Sequence, residues 1–208
     1  MRHFLLVIFT LGILLAACQP APESISYQTG VQLQAQFDIP EMVEGSPPSH
    51  ETMDYLIYLP EGYGEDPDKL WPMIFFLHGS GSDTYDSAFV MSYGLPEVLH
   101  NNDQPEEFPF VVVSPQVFPG TAWWSGDVLS ILHALIDEVT SQYQIDTQRI
   151  YLTGLSAGGY GSWYMASAYP NQFAAVISLS GSGFGNVLPQ PEQLCQVAET
   201  PLWAIHGA

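Results

Sequence analysis

The chain has 208 residues, of which 47% are hydrophobic and 13% aromatic. That composition suits one globular domain with a sizeable core and argues against a disordered chain. The 22 acidic and 3 basic side chains give a formal net charge of -19, which would repel phosphate backbones and argues against nucleic acid as a partner.

The first predicted element is an export signal over residues 1–17. Its apolar run from Phe4 to Ala17 follows Arg2 and is shorter than the ~20 residues that a bilayer-spanning helix needs. An uncleaved helical anchor is the alternative. Residues 15–18, LAAC, resemble a bacterial lipobox, which implies a lipid on Cys18 that anchors the protein to the cell envelope. Gln19 resembles an outer-membrane sorting residue of Gram-negative bacteria.

Residues 18–35 are polar and contain proline, so they are predicted to form a flexible tether, and residues 36–208 the domain. With Cys18 lipidated, Cys195 is the one remaining cysteine. A buried structural thiol is the favoured interpretation of Cys195, and a cysteine that has lost its disulfide partner is the alternative.

The domain alternates between short apolar runs and helical periodicity. Six runs are predicted to form strands, at residues 53–59, 73–77, 110–113, 150–152, 174–179 and 202–205. Most lack polar alternation, which is typical of parallel strands covered by helices on both faces. Helices are predicted at residues 127–143 and 157–169. The pattern predicts an α/β fold with a doubly wound sheet and functional loops at the carboxyl ends of its strands. The Gly- and Pro-rich insert 181–191 is predicted either to roof a site or to be a plain surface loop.

One serine stands out because of its setting. Residues 154–158, GLSAG, match the pattern Gly-x-Ser-x-Gly, directly after one predicted strand and before a predicted helix. This setting is typical of a nucleophile elbow, a sharp turn that exposes the Ser156 hydroxyl. The turn is expected to require glycine at Gly154 and Gly158, because the backbone comes close to itself there and leaves no room for a side chain.

Several motifs in order resemble the α/β-hydrolase superfamily, especially exported polyhydroxyalkanoate depolymerases, feruloyl esterases and phospholipase/carboxylesterase-like enzymes. The motifs are YLPEGYG (58–64), WPMIFFLHGSGSD (71–83), SPQ (114–116), AWW (122–124), GLSAGGYGSW (154–163), FAAVISLSG (173–181) and PLWAIHG (201–207). The resemblance implies a three-layer sandwich with a mostly parallel sheet. It also implies a serine ester hydrolase that acts, without a cofactor, on small-molecule or polysaccharide-linked esters. No metal-ligand spacing is present.

The resemblance also assigns roles to individual residues. The backbone N–H groups of Ser80 and Ala157 are implied to form an oxyanion hole for a nucleophile at Ser156. His78 is implied to support the oxyanion loop rather than to act as a base. Trp123 and Trp124 match a pair that lines the substrate pocket in relatives, and core packing is the alternative for both.

The general base is harder to place. After Ser156 the only carboxylates are Glu192 and Glu199, and the only histidine is His206. In the resembling family, the position of His206 precedes the catalytic aspartate, so a Ser156, Glu199, His206 triad is disfavoured. The other mature histidines in loops and helices, His50, His100 and His133, are interpreted as structural. The acid and base are therefore expected beyond Ala208.

Two further expectations follow from that placement of the acid and base. The last strand and its covering helix are expected to be missing, and the 208-residue chain by itself to be inactive. Two alternative functions remain, a prolyl-oligopeptidase-like peptidase and a catalytically dead surface lipoprotein that binds sugar or lipid.

Overall fold

The computed structural model describes residues 27–44, 48–80, 87–181 and 195–207. The predicted signal peptide, Cys18 and the first part of the predicted tether lie outside the described residues. The insert 181–191 also lies outside them, apart from Gly181. Among the described helices, none combines the length and apolarity needed to cross a membrane.

Seven strands form one mixed sheet. They are β1 (Gln32–Asp38), β2 (Thr52–Tyr58), β3 (Trp71–Leu77), β4 (Val111–Pro115), β5 (Ile145–Leu155), β6 (Ala175–Leu179) and β7 (Leu202–Ile205). Their order across the sheet is β1-β2-β4-β3-β5-β6-β7. β2 is antiparallel to both β1 and β4, and the remaining pairs are parallel. The prediction of a mostly parallel, doubly wound sheet is confirmed, and all six predicted strands are present.

Strand β1 was not predicted, and its first four residues fall within the range assigned to the tether. It pairs with β2 along its whole length, from Gln32 opposite Tyr58 to Asp38 opposite Thr52. Its apolar residues alternate with glutamines, and Phe37 is buried in the main core. This two-residue period places one face of β1 on the core, so the folded part begins before residue 36.

The helices are α1 (Ser87–Val90), α2 (Leu95–His100), α3 (Gly126–Gln142) and α4 (Ala157–Ala168), with a 3-10 helix at Cys195–Val197. The predicted apolar stripe of α3 is buried in the core; its members are Val128, Ile131, Leu132, Leu135 and Val139. α4 packs on β3, β5 and β6. Both predicted long helices are therefore confirmed to within one residue at each end.

The prediction of a buried thiol at Cys195 is wrong. Cys195 is exposed at the start of the 3-10 helix, and it forms no disulfide within the described part of the chain. Two residues later, Val197 is 6% exposed and belongs to the main core. The short helix therefore buries its valine, which leaves the cysteine facing solvent.

Candidate active site

Ser156 occupies a sharp turn between β5 and α4. Its backbone has φ 54° and ψ -113°, a conformation that residues other than glycine rarely adopt. Its side chain is exposed and makes no capping hydrogen bond to α4. The strand-turn-helix geometry predicted from Gly-x-Ser-x-Gly is present, and it presents the hydroxyl at the carboxyl-end edge of the parallel strands.

The two glycines of the motif are required by close backbone packing. A β-carbon at Gly158 would collide with the carbonyl group of Leu77, the last residue of β3. A β-carbon at Gly154 would collide with Gly158 and lie 2.9 Å from the same carbonyl oxygen. Glycine at both positions therefore lets the turn sit directly against β3.

The turn is also fixed to β6, on its other side. The Ser156 N–H donates to the Leu179 carbonyl at 2.8 Å. The buried Ser178 hydroxyl lies 3.0 Å from the Gly159 carbonyl oxygen and 3.1 Å from that of Gly181. These bonds couple the first turn of α4 to the end of β6, so the strained conformation of Ser156 is held from both neighbouring strands.

The two sequence-predicted oxyanion residues lie beside this turn. Gly79 and Ser80 follow β3 after one intervening residue, His78, and a β-carbon at Gly79 would lie 3.5 Å from the Ser156 Cβ. Ala157 is the first residue of α4, so its N–H belongs to the group at a helix start that has no intrahelical acceptor. Such N–H groups favour negative charge.

A cavity of about 370 Å³ opens beside Ala157, the residue after Ser156. Its walls are Gly79, Ser80, Val117, Phe118, Gly120, Thr121, Ala122, Trp123, Trp124 and Ala157. The structure thus brings Ser80, Ala157 and both predicted tryptophans to one space. A larger cavity of about 530 Å³ includes Tyr58 and Trp71, at the opposite, amino-end edge of the parallel strands, and has no part in this site.

The two tryptophans differ in their surroundings. Trp123 is 1% exposed, and its indole N–H donates to the His78 carbonyl at 2.8 Å. Trp124 is half-buried, and its ring lies near those of Tyr160 and Tyr164. Trp123 therefore connects the cavity to the core, whereas Trp124 lines the cavity and keeps more of its surface accessible to solvent.

His78 is a buried, neutral bridge between two walls of the cavity. Its Nε2 accepts a hydrogen bond from the Val117 N–H at 3.1 Å, so its Nδ1 carries the proton and donates to the Gly79 carbonyl at 2.7 Å. Burial lowers the pKa of His78. With both ring nitrogens engaged, His78 connects the loop at Gly79 to the segment at Val117.

Three of the other described histidines have partners other than Ser156, and the fourth, His100, is the last residue of α2. The His50 ring stacks on Phe118 with centroids 3.6 Å apart, and the His133 ring stacks on Tyr169 at 4.2 Å. His206 follows β7 and is exposed, with its Nδ1 3.1 Å from the Gly207 carbonyl oxygen. Within the described residues, no histidine is hydrogen-bonded to Ser156, and no group of three or more His, Cys, Asp or Glu side chains could hold a metal.

Two parts of the site were missed by the sequence analysis. The segment after β4 supplies Val117 and Phe118 to the cavity wall; its position at the carboxyl end of a buried strand was a usable signal. Tyr93 donates a hydrogen bond to the Gly79 carbonyl. No local motif marks Tyr93, because its role depends on a contact across 14 residues.

Comparisons with known proteins agree with this geometry. The family model named Esterase, described as "Putative esterase", matches residues 46–204. "Probable feruloyl esterase C" of Aspergillus terreus is 32% identical over 129 residues, which cover 62% of this chain and 46% of that protein. "Acetylxylan esterase A" of Emericella nidulans is 26% identical over 138 residues, which cover 61% of this chain and 41% of that protein.

A solved structure described as a thermostable esterase has the same fold. Its TM-score is 0.61 at 26% sequence identity, and the match covers 83% of this chain and 45% of that chain. The chain spans about half the length of the curated relatives that it matches.

Proposed function

The chain belongs to the Esterase family, an α/β-hydrolase family, and from that premise we propose that it hydrolyses carboxylic esters through an acyl-enzyme on Ser156. The observation that carries the proposal is the exposed Ser156 hydroxyl, held at φ 54° beside a cavity that Ser80 and Ala157 border. Backbone strain of this kind costs on the order of 1–3 kcal/mol and persists where the surroundings impose it, often at functional sites.

The proposed reaction has two steps. The Ser156 oxygen attacks the ester carbonyl carbon and gives its proton to a general base, while the N–H groups of Ser80 and Ala157 bind the developing oxyanion. The C–O bond breaks, the alcohol leaves with a proton, and the acyl group stays on Ser156. Water then attacks the acyl-enzyme, which releases the carboxylic acid and restores the serine.

The substrate is proposed to be a small-molecule or polysaccharide-linked ester. Support comes from the two relatives, which are described as a feruloyl esterase and an acetylxylan esterase. The cavity also combines aromatic walls with polar backbone at Gly79 and Ser80, a mixture that suits an ester bearing a short or aromatic acyl group.

The location is proposed from the N-terminal sequence alone. The protein is exported and carries a lipid on Cys18 that holds it at the cell envelope, the outer membrane in a Gram-negative host. Metabolic labelling with an alkyne fatty acid tests this. Label should enter the wild type and be lost in Cys18→Ser, and equal labelling of both would exclude the anchor.

The enzymatic proposal is tested on the protein from its complete reading frame, with p-nitrophenyl acetate as substrate. Ser156→Ala should lower kcat by about 10³-fold or more. Ser180→Ala is a matched control, because Ser180 is also exposed with a positive φ, 53°, at the end of the neighbouring β6. Turnover that survives in Ser156→Ala would overturn the proposal.

The same protein distinguishes the two alternatives. A prolyl-oligopeptidase-like enzyme would cleave a peptide anilide faster than an ester of the same acyl group. A dead lipoprotein that binds sugar or lipid would turn over neither substrate. The esterase proposal expects ester cleavage to dominate.

A further inference from the structure

The carbonyl oxygen of Gly79 accepts two side-chain hydrogen bonds. One comes from His78 Nδ1 at 2.7 Å and the other from the Tyr93 hydroxyl at 3.2 Å. Gly79 immediately precedes Ser80, whose N–H is one of the two proposed oxyanion donors. The two bonds therefore act on the peptide group that carries this donor.

The geometry of a trans peptide links the carbonyl to the N–H. The peptide unit is planar, and its C=O and N–H bonds point in opposite directions. The Gly79–Ser80 bond is trans, since no cis peptide bond occurs among the described residues. Donors that hold the Gly79 oxygen on one side therefore direct the Ser80 N–H to the other, which is the side away from His78 and Tyr93.

Tyr93 is itself held in place by its neighbours. Its ring packs edge-to-face on Phe89 with centroids 5.0 Å apart. The next residue, Gly94, has φ 71°, and a β-carbon there would lie 2.7 Å from the Phe76 ring. Glycine at 94 thus brings the backbone against β3. Burial raises the pKa of Tyr93 to about 12, so its hydroxyl keeps its proton across the working pH range.

We propose that Tyr93 is a positioning residue, whose hydroxyl fixes the Gly79–Ser80 peptide with the Ser80 N–H directed at the oxyanion. This inference rests on the proposed esterase function. His78 holds the same carbonyl, but it also bridges to Val117. The one described side-chain hydrogen bond of Tyr93 is the one that its hydroxyl donates to Gly79. Removing that oxygen therefore tests the orientation of the peptide with little change to the core.

The test is Tyr93→Phe in the protein from the complete reading frame. The ring and its packing on Phe89 remain, and the hydrogen bond is lost. Since the oxyanion forms only in the transition state, kcat for p-nitrophenyl acetate should fall about tenfold, while KM stays within about twofold. Phenylboronic acid, which forms a tetrahedral adduct on a nucleophilic serine, should bind about tenfold more weakly.

Tyr151→Phe is the matched control, because Tyr151 is a half-buried tyrosine that packs near Phe110 at a different cavity. It should leave kcat and boronate binding unchanged. A second variant with 3,5-difluorotyrosine at 93 keeps the shape but ionises at lower pH. Its kcat should fall at a lower alkaline pH than that of the wild type, because a phenolate cannot donate.

The outcomes separate this inference from the function on which it rests. If Ser156 is essential but kcat and boronate affinity in Tyr93→Phe stay within twofold of the wild type, the positioning role is wrong and the esterase proposal stands. If Ser156→Ala keeps full turnover, both are wrong. A kcat loss with unchanged KM and weaker boronate binding supports the role.

Discussion

The carbonyl oxygen of Leu77 occupies the space that a β-carbon at position 158 would need. The last residue of β3 and the first turn of α4 are therefore in direct backbone contact, with no room for a side chain. This contact sets the height of the turn above the sheet and, with it, the position of Ser156.

Gly158→Ala should consequently destabilise the protein severely. The added methyl group cannot be accommodated by a side-chain rotation, because the atoms it meets belong to the backbone of Leu77 and His78. We expect a loss of about 3 kcal/mol or more in the free energy of unfolding, measured by urea denaturation. Gly207→Ala is the control, since a β-carbon there meets no described residue within 4 Å. Equal stability of the two variants would contradict the contact.

Trp123→Phe tests the bridge between the cavity wall and the core. Trp123 is 1% exposed, and its N–H satisfies the carbonyl of the buried His78. The substitution leaves that carbonyl without its hydrogen-bond donor and creates a cavity, so the free energy of unfolding should fall by about 2–4 kcal/mol. Trp203→Phe, at a side chain that is 69% exposed on β7, should change stability by less than about 0.5 kcal/mol. A cost at Trp123 as small as that at Trp203 would refute the bridge.

The buried His78 should make stability depend on pH. Burial lowers its folded-state pKa below the ordinary 6.5, so the unfolded chain binds the proton first. The contribution of His78 is therefore complete above pH 6.5 and is lost as the pH falls from about 6.5 towards the folded-state pKa, with a slope of up to about 1.4 kcal/mol per pH unit. Among the described residues, the groups that contact the ring, Gln116, Trp123 and Phe89, are uncharged.

The measurement compares the free energy of unfolding between pH 7.5 and pH 5.5 in wild type and His78→Gln. The variant should be less stable at pH 7.5 and should lose less stability on acidification. Parallel pH profiles for the two proteins would show that His78 does not contribute to the pH dependence.

Cys195 should react rapidly with a thiol reagent in the native protein. It is exposed and has no disulfide partner among the described residues, so a maleimide should label it without denaturant, at a rate close to that in the unfolded chain. Cys195→Ser supplies the background. Labelling only after unfolding would show that the Cys195 thiol is buried, which contradicts the structure.

The sequence predicted the parts of the fold whose signal is local. Apolar runs such as 73–77 can be recognised in the sequence because a strand that is buried on both faces is apolar throughout. The periodic stripe of α3 can be recognised because only one face of that helix is buried. Strand β1 was not predicted because its alternating glutamines gave it the polar composition of the tether that precedes it. The thiol of Cys195 was misplaced because only the packing of Val197 decides which side of that short turn is buried.

The residues of the candidate site also fall into a group that could be predicted from the sequence and a group that could not. Ser156, Ser80 and Ala157 lie in short motifs with a fixed relation to strand ends, so their neighbourhood could be predicted before the structure was known. Tyr93 and Phe118 reach the site through loops whose paths depend on tertiary contacts. No single stretch of sequence encodes the hydrogen bond from Tyr93 to Gly79.

The nucleophilic role of Ser156 is tested by locating the adduct of a fluorophosphonate probe by mass spectrometry of the full-length protein. The reagent modifies serines that act as nucleophiles. We expect one adduct, on the peptide that contains Ser156, absent from Ser156→Ala and undiminished in Ser180→Ala. An unmodified Ser156, or an adduct that persists in Ser156→Ala, would contradict the account.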